Sequence, residues 1–114
     1  MGRYILKIHD HYLEWSTVVD APVTSGMSLD EFTAYYQNEY GRSEMHQLPA
    51  RIARADATGT SALDGKSLEK LVSYNKAGPR GSKLTLAEIY TAYCLDQPIR
   101  DGWKVPWDDD TESV

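Results

Sequence analysis

The 114-residue sequence lacks the features of several protein classes. It contains one cysteine, Cys94, so no disulfide can form within the chain, and a disulfide-stapled secreted scaffold is not expected. No apolar run approaches the roughly 18 residues that a membrane-spanning helix needs. The first stretch, MGRYILKIHD, has neither the apolar core nor the cleavage site of a signal peptide. We therefore expect a cytoplasmic protein that does not engage a membrane.

The sequence also lacks an overall excess of basic charge. Its net charge is −5, made up of −4 over residues 1–41, +4 over residues 42–83 and −5 over residues 84–114. Binding to nucleic acid without sequence preference depends mainly on neutralising phosphates, so an acidic chain disfavours it. The basic middle still leaves one alternative open, a nucleic-acid-associated regulator. Its candidate contacts are Arg51, Arg54, Lys66, Lys70, Arg80 and Lys83.

Hydrophobic patterning predicts an α+β fold, with an N-terminal β-hairpin packed on three to four helices, an irregular C-terminal segment and a short acidic tail. The stretches YILKI and YLEWSTVV are rich in strand-forming residues, and the His9–His11 segment lies at the hairpin turn between them. Pro22 should end the second strand, because proline cannot donate to a sheet ladder. We expect one domain over residues 1–107 and a disordered acidic tail over residues 108–114.

An isolated hairpin is only marginally stable, so its apolar side chains must be covered by helices or by another chain. These side chains are Ile5, Ile8, Leu13, Trp15 and Val18. Two capping boxes, Ser28–Glu31 and Thr85–Glu88, predict helix starts, because the paired side chains satisfy free backbone N–H groups of the first turn. Further helices are expected between residues 44 and 56, entered near Pro49, and over residues 67–76. Expected inward residues of the last two helices are Leu68, Leu71, Val72, Tyr74, Leu86, Ile89, Tyr90 and Tyr93.

The stretch GTSALDGKS, residues 59–67, resembles a phosphate-binding loop but has the wrong spacing. Such a loop has four residues between its first glycine and the Gly-Lys pair, whereas Gly59 and Gly65 enclose five. The loop should also follow a buried strand, but the charged, helical pattern ARIARADA precedes it. We interpret the stretch as an inter-helix loop in which Asp64 or Ser67 caps the next helix.

The remaining reactive side chains form no recognised catalytic or metal-binding signature. His9 and His11 could face the same side of a strand, but a zinc site needs three or four ligands, so turn residues are the favoured interpretation. Cys94 falls on the apolar side of the last helix, where a free cysteine usually behaves as a small inert hydrophobe. We predict no catalytic residue, no cofactor and no metal.

Three stretches, YLEWSTVVDAPVT, MSLDEFTAYYQNEYG and GTSALDGKSLEKLVSYNKAGPRGSKLTLAEI, resemble small uncharacterised proteins encoded by phages of actinobacteria. They cover about half of the chain. The resemblance implies a phage-encoded accessory protein that acts in a bacterial cytoplasm. It transfers no functional residues.

Tyrosine and tryptophan are abundant, while no convergent polar site is evident, so a non-enzymatic protein-interaction module is the leading hypothesis. Its partner would be a protein, such as one of a bacterial host, and a homodimer is also compatible with it. Candidate contact residues are Tyr35, Tyr36, Trp103 and Trp107. A second alternative is a small-ligand binder whose site is assembled from distant residues, such as His46, Cys94 or the His9/His11 pair.

Overall fold

The chain folds as an α+β protein, described here by a computed structural model for residues 3–62, 67–78 and 81–99. An antiparallel sheet comprises β1 (Arg3–Ile8), β2 (His11–Ser16) and β3 (Ala21–Pro22), in that order. The helices are α1 (Leu29–Tyr40), a 3-10 helix (Arg42–Gln47), α2 (Leu48–Thr58), α3 (Leu68–Ser73), α4 (Leu86–Ile89) and a π-helix (Tyr90–Cys94). Within these ranges no helix is long and apolar enough to cross a membrane. The predicted C-terminal segment and acidic tail lie outside the described residues.

The predicted hairpin is confirmed, but β2 is shorter than expected. Leu6 pairs with Leu13, and Ile8 pairs with His11 across the turn. β2 ends at Ser16, because the chain turns back through residues 17–20 and Asp20 adopts a φ of +56°. Val18 is consequently 83% exposed, so the prediction that it needs cover is wrong.

Residues after this turn form a third strand that patterning did not predict. Ala21 pairs with Ser16 and Pro22 pairs with Trp15. Pro22 is tolerated because β3 lies at the edge of the sheet, where a missing N–H donor interrupts no further ladder. Backbone bonding to β2 even continues past the proline, since the Val23 N–H donates to the Glu14 carbonyl at 2.8 Å.

Helices cover both faces of the sheet, because alternate residues of each strand point to opposite sides. We call one side the Trp15 face, which packs against α3, α4 and the π-helix. Its buried core comprises Leu6, Ile8, Leu13, Trp15, Leu71, Ala77, Leu84, Ile89, Ala92 and Tyr93. We call the other side the Glu14 face, which packs against α1 and α2. Its core comprises Ile5, Tyr12, Phe32, Tyr36, Leu48, Ile52 and Ala55.

On the Glu14 face, local signals set the helix ends. The Ser28 hydroxyl accepts from the Glu31 N–H and the Glu31 carboxylate accepts from the Ser28 N–H, so the predicted capping box is confirmed. Pro49 lies in the first turn of α2, as predicted. The segment before Leu48 forms a separate 3-10 helix, and α2 extends to Thr58, where Gly59 with a φ of +90° ends it.

On the Trp15 face, the helices are shorter than predicted. α3 ends at Ser73, because the buried Asn75 side chain binds the loop instead. Its Oδ1 atom accepts from the N–H groups of Ala77 and Leu84, at 3.1 and 2.9 Å, and its Nδ2 atom donates to the carbonyls of Val72 and Leu84. Tyr74 is 39% exposed, contrary to the prediction that it points inward.

The last helix begins at the predicted capping box of Thr85 and Glu88. It widens into the π-helix after one turn, and the Tyr93 carbonyl accepts an N–H from Gly26, at 2.8 Å. Ile89 and Tyr93 are buried as predicted, but Leu86 is exposed. A Cβ atom on Gly26 would lie 2.5 Å from the Cys94 sulfur, so glycine permits the close approach here.

The outer edge of β1 is paired with residues 59–61. The Lys7 N–H donates to the Gly59 carbonyl, and the Ser61 N–H donates to the Ile5 carbonyl, both at 2.9 Å. The Ile5 N–H in turn donates to the Ser61 hydroxyl. This segment therefore ties the end of α2 to the sheet.

Candidate functional site

A fully buried carboxylate, Glu14, lies at the centre of the Glu14 face. It is 0% exposed and sits opposite Ile5 in the strand register. Its Oε1 atom accepts from the Tyr35 hydroxyl at 2.6 Å and from the Arg3 guanidinium at 3.1 Å, and its Oε2 atom accepts from the Tyr40 hydroxyl. We call these four side chains the Glu14 network. Hydrogen-bonded and ionic partners of this kind are what a buried charge needs.

The network keeps both tyrosine hydroxyls protonated. Burial, together with hydrogen bonding to Glu14 and its charge, raises the pKa of Tyr40 to about 12 and raises the pKa of Tyr35 further still. Both phenols therefore act as donors throughout the physiological pH range. Since three donors occupy the carboxylate, the network can anchor α1 and β1 to β2, and we assign it a structural role.

The sequence did not predict this network. Apolar and polar residues alternate in YLEWS, as in a strand with one solvent-exposed face, and this pattern would place Glu14 in solvent. Tyrosines at positions 35 and 40 of one helix were the available signal, because buried hydroxyls need a polar partner. Which strand residue supplies that partner depends on how α1 crosses the sheet.

Two of the four predicted contact residues lie within the described part of the chain. Tyr36 is 3% exposed, and its hydroxyl accepts from the Arg51 guanidinium at 3.1 Å. This burial argues against the contact role predicted for Tyr36. Tyr35 is half-buried with its hydroxyl held by Glu14. Trp103 and Trp107 lie outside the described residues.

The hairpin turn brings two histidines against one tyrosine. The ring centroids of His9 and His11 lie 4.5 and 5.4 Å from that of Tyr90, in edge-on geometry, and His11 Nδ1 lies 3.1 Å from the Asp10 carboxylate. Over residues 3–62, 67–78 and 81–99, no group of three or more His, Cys, Asp or Glu side chains could hold a metal ion. His9 is a turn residue, as predicted, whereas His11 is the first residue of β2.

The thiol of Cys94 is protonated at neutral pH. Burial, with a smaller contribution from the negative charge of Asp10, raises its pKa to about 12. A thiol needs to be ionised to act as a nucleophile, so this environment suppresses its reactivity. His46 contacts the Ser43 carbonyl through Nδ1 at 2.8 Å on the 3-10 helix.

Two arginines of the basic middle bind backbone groups of the chain. The Arg51 guanidinium donates to the Arg3 carbonyl at 2.8 Å, in addition to Tyr36, and Arg54 donates to the Ser61 carbonyl at 2.9 Å. These bonds fasten α2 to the sheet edge and leave fewer donors for phosphates. Lys70 and Lys83 are exposed, whereas Lys66 and Arg80 lie outside the described residues. Ser67 caps α3, as predicted for the loop that resembles a phosphate-binding motif.

The described surface contains two grooves that could receive a ligand or partner. The α1–α2 groove has a volume of about 320 Å³. It is lined by Leu29, Asp30, Thr33, Met45, Leu48, Pro49 and Ile52. The α3–α4 groove has a volume of about 520 Å³. It is lined by Glu69, Val72, Ser73, Lys83, Leu84, Thr85, Leu86 and Glu88.

The two grooves differ in the length of the helices that form their walls. The α1–α2 groove lies between two helices of 12 and 11 residues, and the buried core side chains of Leu48 and Ile52 form part of its lining. The α3–α4 groove lies between helices of six and four residues, and its lining mixes acidic and basic side chains. The α1–α2 groove therefore has the longer and more apolar walls, and we take it as the candidate site.

Comparison with known proteins gave no relative. The chain matches no protein-family model, no curated protein and no solved structure.

Proposed function

We propose that this chain is a non-enzymatic protein-interaction module that receives its partner in the α1–α2 groove. One observation carries the proposal: five hydrophobic residues line this groove, and Leu29 at its rim is 44% exposed. Exposed apolar surface between two helices is typical of a site that binds another protein. The groove also contains Met45, whose flexible thioether can adapt to different partner side chains.

The Glu14 network supports the same role, because it holds one wall of the groove in place. Tyr35 and Tyr40 of α1 both donate to a carboxylate of the sheet, so the second half of the helix that forms this wall is anchored. A partner that binds a preformed wall loses less affinity to ordering that wall. The resemblance to phage proteins makes a bacterial host protein, in the host cytoplasm, the partner that we propose.

The groove can be tested by capturing partners from an actinobacterial lysate on the immobilised chain. The variant Leu29→Ser removes the exposed apolar side chain, and the control Val18→Ser removes a still more exposed one on the turn after β2. We expect a specific protein to be retained by the wild type and by Val18→Ser, and to be retained at least tenfold less by Leu29→Ser. Because both positions are exposed, the thermal melt should change little in either variant.

Two results would contradict the proposal. If no protein is retained above background, the chain is not an interaction module under these conditions, and the function is wrong. If Leu29→Ser retains the same protein as well as wild type, binding occurs elsewhere and the groove assignment fails.

The same assay tests the two predicted tryptophan contacts. We expect the double variant Trp103→Ala/Trp107→Ala to retain less partner while its circular-dichroism melt stays nearly unchanged. A collapsed melt would mean that these tryptophans belong to the core, and they would no longer count as contact residues.

A further inference from the structure

Two of the elements that form the α1–α2 groove carry an excess of acidic charge. Residues 29–47, which form α1 and the 3-10 helix, contain four acidic side chains and one basic side chain, Arg42, so their net charge is −3 with His46 neutral. The acidic residues are Asp30, Glu31, Glu39 and Glu44. Salt bridges within the described part of the chain involve other carboxylates, those of Asp10, Glu14 and Asp56.

Asp30 connects this charge to the groove itself. It is exposed in the first turn of α1 and lines the groove beside Leu29. Arg51 and Arg54 of α2 keep their positive charges, since the groups that they bind are neutral. With α2 included, residues 29–58 still have a net charge of −2. The groove therefore combines an apolar lining with an acidic rim formed by Asp30.

This combination selects one class of occupant. A segment with Lys or Arg next to apolar anchors would bury the anchors and place its charges near the acidic rim, whereas an acidic segment would be repelled. The volume, about 320 Å³, lies at the lower end of the range of ligand pockets, roughly 300–1,000 Å³. It therefore suits a few side chains of a peptide segment and is too small for a whole folded domain.

We propose that the α1–α2 groove binds a short basic amphipathic segment of the partner protein, with apolar residues against Leu29, Met45 and Ile52 and with Lys or Arg near Asp30. This inference rests on the proposed function and specifies the chemistry of the partner. A helical segment fits it best, since helix-in-groove recognition places apolar anchors on one face and leaves the flanks for charge.

The test is selection of peptides from a random display library on the immobilised full-length chain. Binding of the selected peptides, which we call the winners, is then measured by fluorescence anisotropy. We expect the winners to be enriched in Lys and Arg around apolar anchors. Leu29→Ser should weaken their binding at least tenfold and Asp30→Asn about two- to fivefold. Raising the salt concentration should also weaken binding, because the rim charges are exposed.

Two matched controls separate the groove from general effects. Val18→Ser removes an exposed apolar side chain elsewhere, and Asp96→Asn removes an exposed acid after the π-helix, at a positive φ that asparagine tolerates. Neither variant should change the dissociation constant by as much as twofold. Thermal melts of all four variants confirm that the comparison is made between folded proteins.

Other outcomes overturn the inference and tell it apart from the proposed function. Winners that need Leu29 but carry no basic residues would refute the charge argument and leave the groove and the interaction function standing. Winners unaffected by Leu29→Ser would refute the groove alone. A wild-type dimer that light scattering detects, and that Leu29→Ser dissociates, would make a second copy the occupant. If no peptide is selected, the inference is contradicted, whereas the proposed function is decided by the capture from lysate.

Discussion

The two faces of the small sheet are buried to the same extent and stabilised by different means. Leu13 and Glu14 are consecutive residues of β2, and both are 0% exposed. Leu13 packs with Trp15 among apolar side chains below α3 and α4, whereas Glu14 binds two tyrosines and an arginine below α1. The Trp15 face depends on shape and apolar contact, and the Glu14 face depends on a polar network being complete.

The two faces also differ in the interactions that fix the positions of their helices. The short helices of the Trp15 face have few residues of their own, so capping side chains and Asn75 fix their ends. The longer α1 of the Glu14 face is fixed by directional bonds to one carboxylate. Directional bonds specify where a helix lies, whereas apolar contacts tolerate small shifts.

The largest effect should come from truncating the Trp15 face. Trp15→Ala should lower the free energy of unfolding by about 3–5 kcal/mol, because it leaves a large cavity in a closed apolar core. Urea unfolding with linear extrapolation measures the change. Val18→Ala on the exposed turn serves as the control and should stay within about 0.5 kcal/mol of wild type. If Trp15→Ala lowers the free energy of unfolding by less than about 1 kcal/mol, the core can collapse around the missing ring.

The matching change on the Glu14 face is Glu14→Gln. We expect a loss of about 1–3 kcal/mol, because the amide keeps the size of the side chain but removes the charge and one acceptor. In a Tyr35→Phe/Tyr40→Phe background, the same change should cost less, since the hydroxyls it would strand are gone. Equal costs in both backgrounds would show that the tyrosines and Glu14 are energetically independent, and the comparison between the faces would lose its basis.

A third change probes the close packing beside the Trp15 face. Gly26→Ala should cost about 1–3 kcal/mol, because the new methyl would overlap the Cys94 side chain. Cys94→Ala should recover part of that loss, since it removes the sulfur that lies 2.5 Å from the added carbon, while the Cys94 Cα at 3.0 Å still crowds it. Full recovery would mean that the backbone moves freely here. The measurement is again urea unfolding of the single and double variants.

The smallest expected effect is a loss of stability at alkaline pH, where one tyrosine on each face titrates. The pKa of Tyr40 and that of Tyr93 are both raised from 10.0 to about 12, Tyr40 by burial and by Glu14, Tyr93 by burial alone. The native state therefore keeps protons that the unfolded chain releases above pH 10, so stability should fall as pH rises from about 10 to about 12.

Glu14→Gln should separate the two tyrosines. It should lower the pKa of Tyr40, because the hydrogen bond to a charged acceptor is lost, and it should leave the pKa of Tyr93 unchanged. Ultraviolet absorbance of tyrosinate, with Tyr40→Phe and Tyr93→Phe to assign each step, measures both. A pKa of Tyr40 that does not respond would show that burial alone sets it.

Local signals in the sequence predicted the helix starts well. The capping boxes at Ser28 and Thr85 involve residues three positions apart, so no tertiary information is needed to find them. The hairpin turn at His9 and Asp10 was predictable for the same reason. The α+β class followed from these elements together.

Features that depend on distant contacts could not be predicted. Asn75 ends α3 by binding Leu84, nine residues away, and the π-helix places the Tyr93 carbonyl against Gly26. Tyr36 is at the centre of the core on the Glu14 face, although an aromatic residue on a mixed helix could equally face solvent. The α1–α2 groove is formed where two helices and the segment between them come together, and no single stretch of sequence predicts that arrangement.

The pairing of residues 59–61 with β1 has a consequence for how this protein can associate. The N–H and carbonyl of Ile5 and the N–H of Lys7 are already bonded to residues 59–61, and the Arg3 carbonyl accepts from Arg51. An incoming extended chain would have to break these bonds before it could lengthen the sheet, so β-augmentation and fibril growth from this side are blocked. The same short segment that fastens a helix therefore also protects this edge of the sheet.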